Sequence, residues 1–289
     1  MFLRSIIVLA TLCLLSFCQK KDNLPPAPGP ATGTVPAAPA PTYSFDEKPI
    51  WADEFDEAGL PDAKRWGYDV GGSGWGNNEL QFYTEKKSEN ARVENGNLVI
   101  EARKEPVGNR AYSSARLVTK GKGDFTYGRF EVRAKLPKGR GTWPAIWTLA
   151  SQSSYGSNYW PDNGEIDIME HVGFDPGRVH VNVHTKAFNH AIKTNKGSNT
   201  LVPDFAETFH VYRVDWTPSD MNFFVDDKAI FRFENSGKGW AEWPYDKPQH
   251  LLLNIAVGGN WGGQQGVDDS IFPQRMEVDY VRVYKLVTK

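Results

Sequence analysis

The sequence predicts an all-β fold in which two antiparallel sheets pack face to face as a sandwich. From about residue 45 onward, short segments alternate apolar and polar residues, which is the period of a strand with one buried face. Turns rich in Gly and Pro separate these segments at short intervals. No stretch keeps a helical spacing of apolar residues over three turns. Many short strands joined by such turns are typical of a two-sheet sandwich.

Each strand is predicted from its own pattern. Residues 211–216 and 221–225 flank Thr217-Pro218-Ser219-Asp220, a turn sequence that indicates a hairpin. The run 251–257 is apolar almost throughout, which is typical of a strand buried on both faces. The other segments with strand character are residues 97–103, 128–134, 179–184, 229–233 and 278–284.

The composition favours an uncharged substrate with flat apolar faces. A net charge of −2 over 289 residues gives no electrostatic reason to expect a nucleic acid or an anionic membrane as a partner. Ten Trp and eleven Tyr are many for this length, and their rings suit the faces of sugars. The alternative is that aromatic side chains fill the core, as we expect for most of the Phe. For the Trp in Gly- and Pro-rich segments, cleft and core positions both stay open.

The first eighteen residues predict an export signal. Arg4 supplies the positive end, and residues 5–17 form the apolar stretch, which is shorter than a membrane-spanning helix requires. Leu15-Ser16-Phe17-Cys18 resembles a bacterial lipobox, although Phe17 replaces the usual small residue. We expect a lipoprotein anchored at Cys18 in the outer membrane or at the cell surface, with ordinary cleavage and secretion as the alternative.

Residues 19–44 predict a Pro- and Ala-rich linker that cannot build a core and prefers extended conformations. Residues 45–289 predict one catalytic domain, which we expect to be monomeric. The two cysteines, Cys13 and Cys18, both lie in the leader. The domain therefore has no disulfide, and its apolar core must hold it together.

The segment Glu165-Ile166-Asp167-Ile168-Met169-Glu170 places three carboxylates along one short apolar run. In a strand, Glu165 and Asp167 share a face, whereas Glu170 points to the opposite face. A β-bulge would add one residue and return Glu170 to the side of the other two acids. Clustered acids repel one another and lose hydration, so this pattern indicates chemistry rather than a structural role.

The spacing of these acids favours a retaining glycosidase. The outer Cβ atoms would lie roughly 13 Å apart along the strand, and side-chain reach brings the carboxyls to about 5–6 Å. Retaining enzymes need about 5–5.5 Å between the two carboxyls, and inverting enzymes need about 6.5–9.5 Å.

Segments that could contact sugars lie on both sides of the acid row. Indoles flanked by Gly and Pro occur in residues 141–147, 160–161 and 258–263, where a flat ring can face a cleft. Residues 77–81 add amides and a carboxylate that suit hydroxyl groups. For each of these segments, packing within a loop is the alternative.

His180 and His184 share a strand face with Asn182. Positions four apart in a strand are about 13 Å apart, so the two histidines cannot chelate one zinc ion together. We interpret them as polar lining of a cleft, with His184 the better candidate.

The acid row resembles the signature of glycoside hydrolase family 16 in the bulged form of laminarinases and other endo-β-1,3-glucanases. The resemblance extends from about residue 45 to the end of the chain, because further segments are similar to family segments in the same order. These segments are residues 51–55, 78–81, 127–129, 141–147, 254–259 and 278–284.

The resemblance implies a β-jelly-roll sandwich of two antiparallel sheets, with a concave substrate cleft and retaining hydrolysis inside a β-glucan chain. It implies that Glu165 is the nucleophile, that Glu170 is the acid/base, and that Asp167 hydrogen-bonds the nucleophile. It also implies substrate contacts for Asn78, Arg116, Trp143, Trp147, His184 and Trp261.

The resemblance further implies a structural calcium ion away from the cleft. Glu54 and Gly96 match positions that donate backbone carbonyls, and Asp279 matches a carboxylate ligand. Oxygen ligands suit calcium. The alternative is an empty site, and no redox or nucleotide cofactor is expected.

β-1,3-Glucan of the laminarin type is the favoured substrate, because the Trp-rich segments and the unbroken acid row match that branch of the family. A mixed-linkage β-1,3-1,4-glucanase is the alternative within the enzyme class. A non-catalytic β-glucan-binding protein is the alternative outside that class, but this sequence keeps all three acids.

Overall fold

The computed structural model describes residues 42–288. The predicted export signal, the lipid anchor at Cys18 and nearly all of the predicted linker lie outside the described residues. The first strand begins at Tyr43, so the last two residues assigned to the linker belong to the folded part. Within residues 42–288, no helix has the length and apolar character that crossing a membrane requires.

Eighteen strands, one four-residue helix and two 3-10 helices form the described part of the chain. The strands are β1 (Tyr43–Asp53), β2 (Gly67–Tyr68), β3 (Gln81–Tyr83), β4 (Ala91–Glu94), β5 (Asn97–Ala102), β6 (Tyr112–Ser114), β7 (Arg116–Val118), β8 (Asp124–Phe125), β9 (Gly128–Lys135), β10 (Thr142–Ala150), β11 (Glu165–His171), β12 (Arg178–His184), β13 (Lys196–Leu201), β14 (His210–Trp216), β15 (Asp220–Val225), β16 (Lys228–Glu234), β17 (Gln249–Val257) and β18 (Gln274–Thr288). The helices are α1 (Tyr159–Asp162) and the 3-10 turns His190–Ile192 and Asp269–Ile271.

Two large antiparallel sheets form a sandwich, as the sequence predicts. Sheet I has the order β16-β15-β14-β9-β18-β5-β4, and β1 also pairs with β18. Sheet II has the order β13-β12-β11-β10-β17-β7-β2, and β8 also pairs with β17. A small parallel pair, β3 with β6, is an addition that the sequence does not predict.

The core lies between the two sheets and follows from the strand patterns. In β9 every second residue is buried, so Phe130, Val132 and Ala134 face the core while the charged residues between them face outward. All nine residues of β17 are buried, which confirms the prediction from its apolar run. β17 pairs with β10 over its whole length without a shift in register, and this rigid pair lies beside β11.

Candidate active site

A β-bulge in β11 brings the three predicted acids to one face of sheet II. Asp167 lies opposite Asn182 and Glu170 lies opposite His180, so two residues of β11 face one residue of β12. The two residues of the bulge, Ile168 and Met169, are fully buried in the core. The predicted bulge is therefore confirmed, and Glu165, Asp167 and Glu170, here called the cleft acids, line a single cavity.

The cavity has a volume of about 340 Å³ and combines flat rings with polar groups. Its walls come from β7, β10, β11 and β17 of sheet II, from the end of β3, and from the loops that precede β3, β11 and β13. The residues that supply indole rings are Trp75, Trp143, Trp147 and Trp160, and the polar or charged residues beyond the cleft acids are Asn77, Glu79, Tyr83, Arg116, Tyr159, His190 and Asn254.

The cleft acids have no Lys or Arg partner among the described residues. The nearest basic group is the His184 ring, whose Nε2 atom lies 3.2 Å from Asp167 Oδ2 and 3.7 Å from Glu165 Oε1. Burial, followed by the charge of Asp167, raises the pKa of Glu165 well above its usual range. Burial and the charge of Glu170 likewise raise the pKa of Asp167. The row therefore holds at least one proton at a pH where isolated carboxyls are ionised.

Glu170 has a different environment from its two neighbours. Trp143 Nε1 donates to its Oε1 at 3.1 Å, and Asn182 Nδ2 donates to its Oε2 at 3.2 Å. Burial raises the pKa of Glu170, while the nearby His184 and these two donors act in the opposite direction. A carboxyl held by neutral donors above its usual pKa can both give and take a proton near neutral pH.

His184 is placed by the register between β11 and β12. It lies directly opposite Glu165, and its side chain is buried behind the cleft acids rather than in the cavity wall. The Tyr245 hydroxyl lies 2.9 Å from the backbone carbonyl oxygens of both Glu165 and His184, to which it can donate. This buried tyrosine ties the two strands together beside the acids.

The structure places the predicted tryptophans at different depths. Trp143 and Trp147 line the cavity, whereas Trp261 packs edge-on against Trp143, with ring centroids 5.5 Å apart, outside the cavity lining. Trp261 also lies edge-on against His180, with ring centroids 4.9 Å apart.

Arg116 is buried and lies between two indoles. Its guanidinium carbon lies 4.8 Å from the centre of the Trp75 ring and 4.7 Å from that of Trp147. Its Nε atom is 2.9 Å from Asp69 Oδ2. The cation–π contacts and this ion pair fix the indole walls relative to each other.

A chain of hydrogen bonds crosses the cavity floor to Trp147. Trp147 Nε1 donates to Asn254 Oδ1 at 2.7 Å, and Asn254 Nδ2 donates to the Tyr83 hydroxyl at 3.1 Å. That hydroxyl lies 3.4 Å from Glu79 Oε2. The buried Glu79 carboxyl also accepts from Gln81 Nε2 at 2.6 Å.

Asn254 is a cavity residue that the sequence analysis did not name as a contact, and Glu79 entered it only as the carboxylate of residues 77–81. Both lie inside segments that resemble the family, but only the neighbouring Asn78 was chosen from the first segment. The structure directs the exposed Asn78 side chain to Asn260 Oδ1, at 2.8 Å, and away from the cavity lining. Asn77 and Glu79 line the cavity instead.

The three predicted calcium ligands border one break in sheet I. Along β18, pairing with β5 ends at Val278 and pairing with β1 begins at Val281, so Asp279 lies in the gap. Glu54 follows the last residue of β1, and Gly96 precedes the first residue of β5. The backbone therefore places all three residues at one break in the sheet, and carbonyl and carboxylate oxygens are the ligand types that calcium accepts. The Asp279 carboxylate lies 2.5 Å from Arg133 Nη1.

A two-sheet sandwich with buried carboxyls and indole rings around one cavity defines a glycoside hydrolase of the polysaccharide-cleaving type. The chain belongs to glycosyl hydrolases family 16, whose family model matches residues 78–282. This membership confirms the jelly-roll fold and the enzyme class that the sequence predicts.

Individual relatives agree with this assignment. The chain is 60% identical over 243 residues to a β-glucanase of Rhodothermus marinus, covering 82% of this chain and 85% of that protein. The crystal structure of the laminarinase from Rhodothermus marinus superposes with a TM-score of 0.82 at 57% identity, covering 86% of this chain and 99% of that one. A non-specific endo-β-1,3(4)-glucanase of the family, crystallised with a β-1,3-cellobiosyl-glucose at its active site, gives a TM-score of 0.80 at 52% identity, with coverages of 85% and 99%.

Proposed function

We propose that this protein hydrolyses β-1,3-glucan of the laminarin type within the chain and with retention of configuration. Retention is the stereochemistry of family 16. The observation that carries the proposal is the bulge of β11, which gathers the buried Asp167 and the partly buried Glu165 and Glu170 in a cavity walled by indoles. The indoles suit the flat faces of a neutral glucan.

The two outer acids would divide the chemistry. Glu170 protonates the departing glycosidic oxygen, while Glu165 attacks the anomeric carbon and forms a covalent glycosyl-enzyme. Glu170 then takes a proton from water, whose oxygen displaces Glu165 and restores the original configuration. Asp167 lies between them and shares a hydrogen bond with Glu165, which fixes the proton within the row.

Substrate contacts are proposed for the residues that the family resemblance assigns. Trp143, Trp147 and Arg116 have the direct support of lining the cavity. His184 would act on the sugar through the acids that it contacts. Asn78 and Trp261 lie outside the cavity lining, so we assign them to more distant sugar units.

The substrate is tested by product analysis on laminarin, lichenan and agarose. We expect new reducing ends from laminarin, with a ladder of oligosaccharides early in the reaction, and β-anomeric products by NMR at short times. Faster release from lichenan would favour the mixed-linkage alternative, which the non-specific β-1,3(4)-glucanase relative makes relevant. Binding of laminarin without new reducing ends would favour the non-catalytic alternative.

We also propose the structural calcium ion at Glu54, Gly96 and Asp279. The ion would join the ends of β1 and β5 to β18, and Asp279 would exchange its contact with Arg133 for the ion. Calcium would then raise the melting temperature, and EDTA would lower it. The Asp279→Asn variant should lose this response.

Export and anchoring at Cys18 remain proposals from the leader sequence, as does the monomeric state. Membrane fractionation tests the anchor, because a Cys18→Ser variant should leave the membrane fraction. Equal recovery of both forms from membranes would contradict it. Light scattering of the soluble domain at several concentrations tests the monomeric state.

A further inference from the structure

We propose that Glu165, Asp167 and His184 together bind zinc, or a similar divalent transition metal, and that the bound ion blocks the active site. Binding of the metal stands on the geometry alone, whereas inhibition rests on the proposed function. The three residues are neighbours in sheet II, since Glu165 and Asp167 share a face of β11 and His184 lies opposite Glu165 on β12.

The distances from His184 to the two carboxylates are close to those around one tetrahedral ion. Zinc bonds of about 2.0–2.1 Å to nitrogen and oxygen place neighbouring ligands about 3.3–3.4 Å apart. His184 Nε2 lies 3.2 Å from Asp167 Oδ2 and 3.7 Å from Glu165 Oε1, and all three donors lie within 4.8 Å of one another. Small side-chain rotations would complete the geometry.

Asp167 provides a second, independent indication of a ligand. The residue is 2% exposed, and the buried Oδ2 atom that faces His184 has no hydrogen-bond partner of acceptable geometry. A buried carboxylate oxygen in this state is costly unless a cation reaches it. One imidazole and two carboxylates form a ligand set that zinc accepts and that harder cations such as magnesium bind weakly.

The surroundings also predict the strength of the site and its effect. The Nδ1 atom of His184 is buried without a partner, so the ring lacks the support that most metal-binding histidines have. Such support is worth about 10–100-fold in affinity, which predicts modest, reversible binding. Glu165 and Asp167 line the cavity, so an ion bound to them would lie beside the place where the reacting sugar must bind.

Calorimetric titration of the full-length chain with zinc chloride tests the site without depending on activity. We expect one equivalent of zinc whose affinity falls at least tenfold in Glu165→Gln and in His184→Gln. His210→Gln is the matched control, because His210 also contacts two aspartates, Asp226 and Asp204, at 2.5 and 3.4 Å. Cys13 and Cys18 are common to all variants, so the differences report only the proposed ligands.

Unchanged binding in both cleft variants, or loss of the equivalent in His210→Gln alone, would overturn the site. If His184→Gln fails to fold, judged by its melting temperature, Glu165→Gln carries the test because its side chain lies at the cavity.

With laminarin as substrate, zinc should raise KM and leave kcat unchanged, and magnesium at the same concentration should change neither constant. A fall in kcat at constant KM would overturn competition, whereas a protein inactive on every glucan would contradict the proposed function and leave the binding result standing.

Discussion

Acidic side chains have opposite environments in the two sheets. On the outer face of sheet I, Asp215 accepts from Arg129 through both oxygens, at 2.7 and 2.8 Å. Beside the same sheet, Glu54 accepts from Nε and Nη2 of Arg282, and this contact lowers the pKa of Glu54. In sheet II, Asp167 is buried, Glu165 and Glu170 are partly buried, none of the three has an Arg or Lys partner, and their pKa values rise. Paired acids support the fold, whereas unpaired acids destabilise it and are available for chemistry.

The largest expected effect is loss of activity when an outer cleft acid becomes an amide. Glu165→Gln and Glu170→Gln each keep their shape but lose the nucleophile or the transferable proton, so kcat/KM on laminarin should fall on the order of 10³-fold or more. Asp215→Asn, an equally small change at a paired acid, should leave kcat/KM within twofold when assayed below its melting temperature. Turnover by Glu165→Gln within tenfold of wild type would contradict the assigned roles.

The second prediction concerns the free energy of unfolding. Replacing an acid by its amide should raise this energy in sheet II and lower it in sheet I. The pKa of Asp167 is raised in the folded protein above its ordinary value of 3.8, so the folded state binds its proton more tightly than the unfolded chain does. The stability linked to this proton is complete below about pH 4 and is lost as the pH rises through the folded pKa. At pH 7.5, Asp167→Asn should therefore raise the free energy of unfolding by about 1–2 kcal/mol and lower activity.

Asp215→Asn should lower the free energy of unfolding by about 1–2 kcal/mol, because it leaves a partly buried Arg129 without its partner. A change of 1 kcal/mol corresponds to about 2–4 °C in melting temperature for a domain of this size. Thermal melts of both variants at pH 7.5 and pH 4 test the comparison. The gain of Asp167→Asn should vanish at pH 4, and a loss of stability at both pH values would show that Asp167 supports the fold after all.

Glu79 is an intermediate case, in which a buried acid is held by neutral donors. Tyr83→Phe removes the hydroxyl that joins Glu79 to Asn254, and Asn254 in turn holds the ring of Trp147. Losing a buried hydrogen bond of about 1 kcal/mol should loosen the indole wall and raise KM about 3–10-fold, with kcat changed less. Steady-state kinetics on laminarin, with KM and kcat determined separately for the variant and the wild type, measure this effect.

Tyr212→Phe is the matched control, because the Tyr212 side chain is also fully buried and its hydroxyl has no hydrogen-bond partner among the described residues. It should leave both constants unchanged. An equal rise in KM for the two variants would indicate a general loosening of the sandwich instead of a role for the Glu79 contact.

The fold and the acid row could be predicted because both depend on local periodicity. Alternation along β11 places Glu165 and Asp167 on one face, and only an extra residue can bring Glu170 there. Glu79 and Asn254 could not be assigned in this way, because they meet only when β17 and the loop before β3 lie side by side. At Asn78 the backbone adopts a φ of 55°, which breaks the alternation that would have indicated its direction.

The smallest expected effect is a shift in the pH profile of kcat/KM when one hydrogen-bond donor to Glu170 is removed. Asn182→Leu removes one of the two neutral donors to this carboxyl while Trp143 remains. Such donors favour the ionised form, so their loss raises the pKa of Glu170 further. The acid/base must start protonated, and a higher pKa keeps it protonated to higher pH. A bond of about 0.5–1.5 kcal/mol corresponds to a shift of about 0.4–1 pH unit in the alkaline limb of kcat/KM.

The pH profile of kcat/KM on laminarin, compared with that of Asn199→Leu, measures this shift. Asn199 lies on the neighbouring strand β13 and contacts Arg178 rather than Glu170, so its loss should leave the limb in place. The cleft acids titrate together, so the alkaline limb of kcat/KM reports the three of them as a group. The loss of a donor to Glu170 should move this limb to higher pH. An alkaline limb that stays fixed or moves to lower pH in Asn182→Leu would show that Glu170 is not the proton donor, and that the unpaired state of the cleft acids serves some other step.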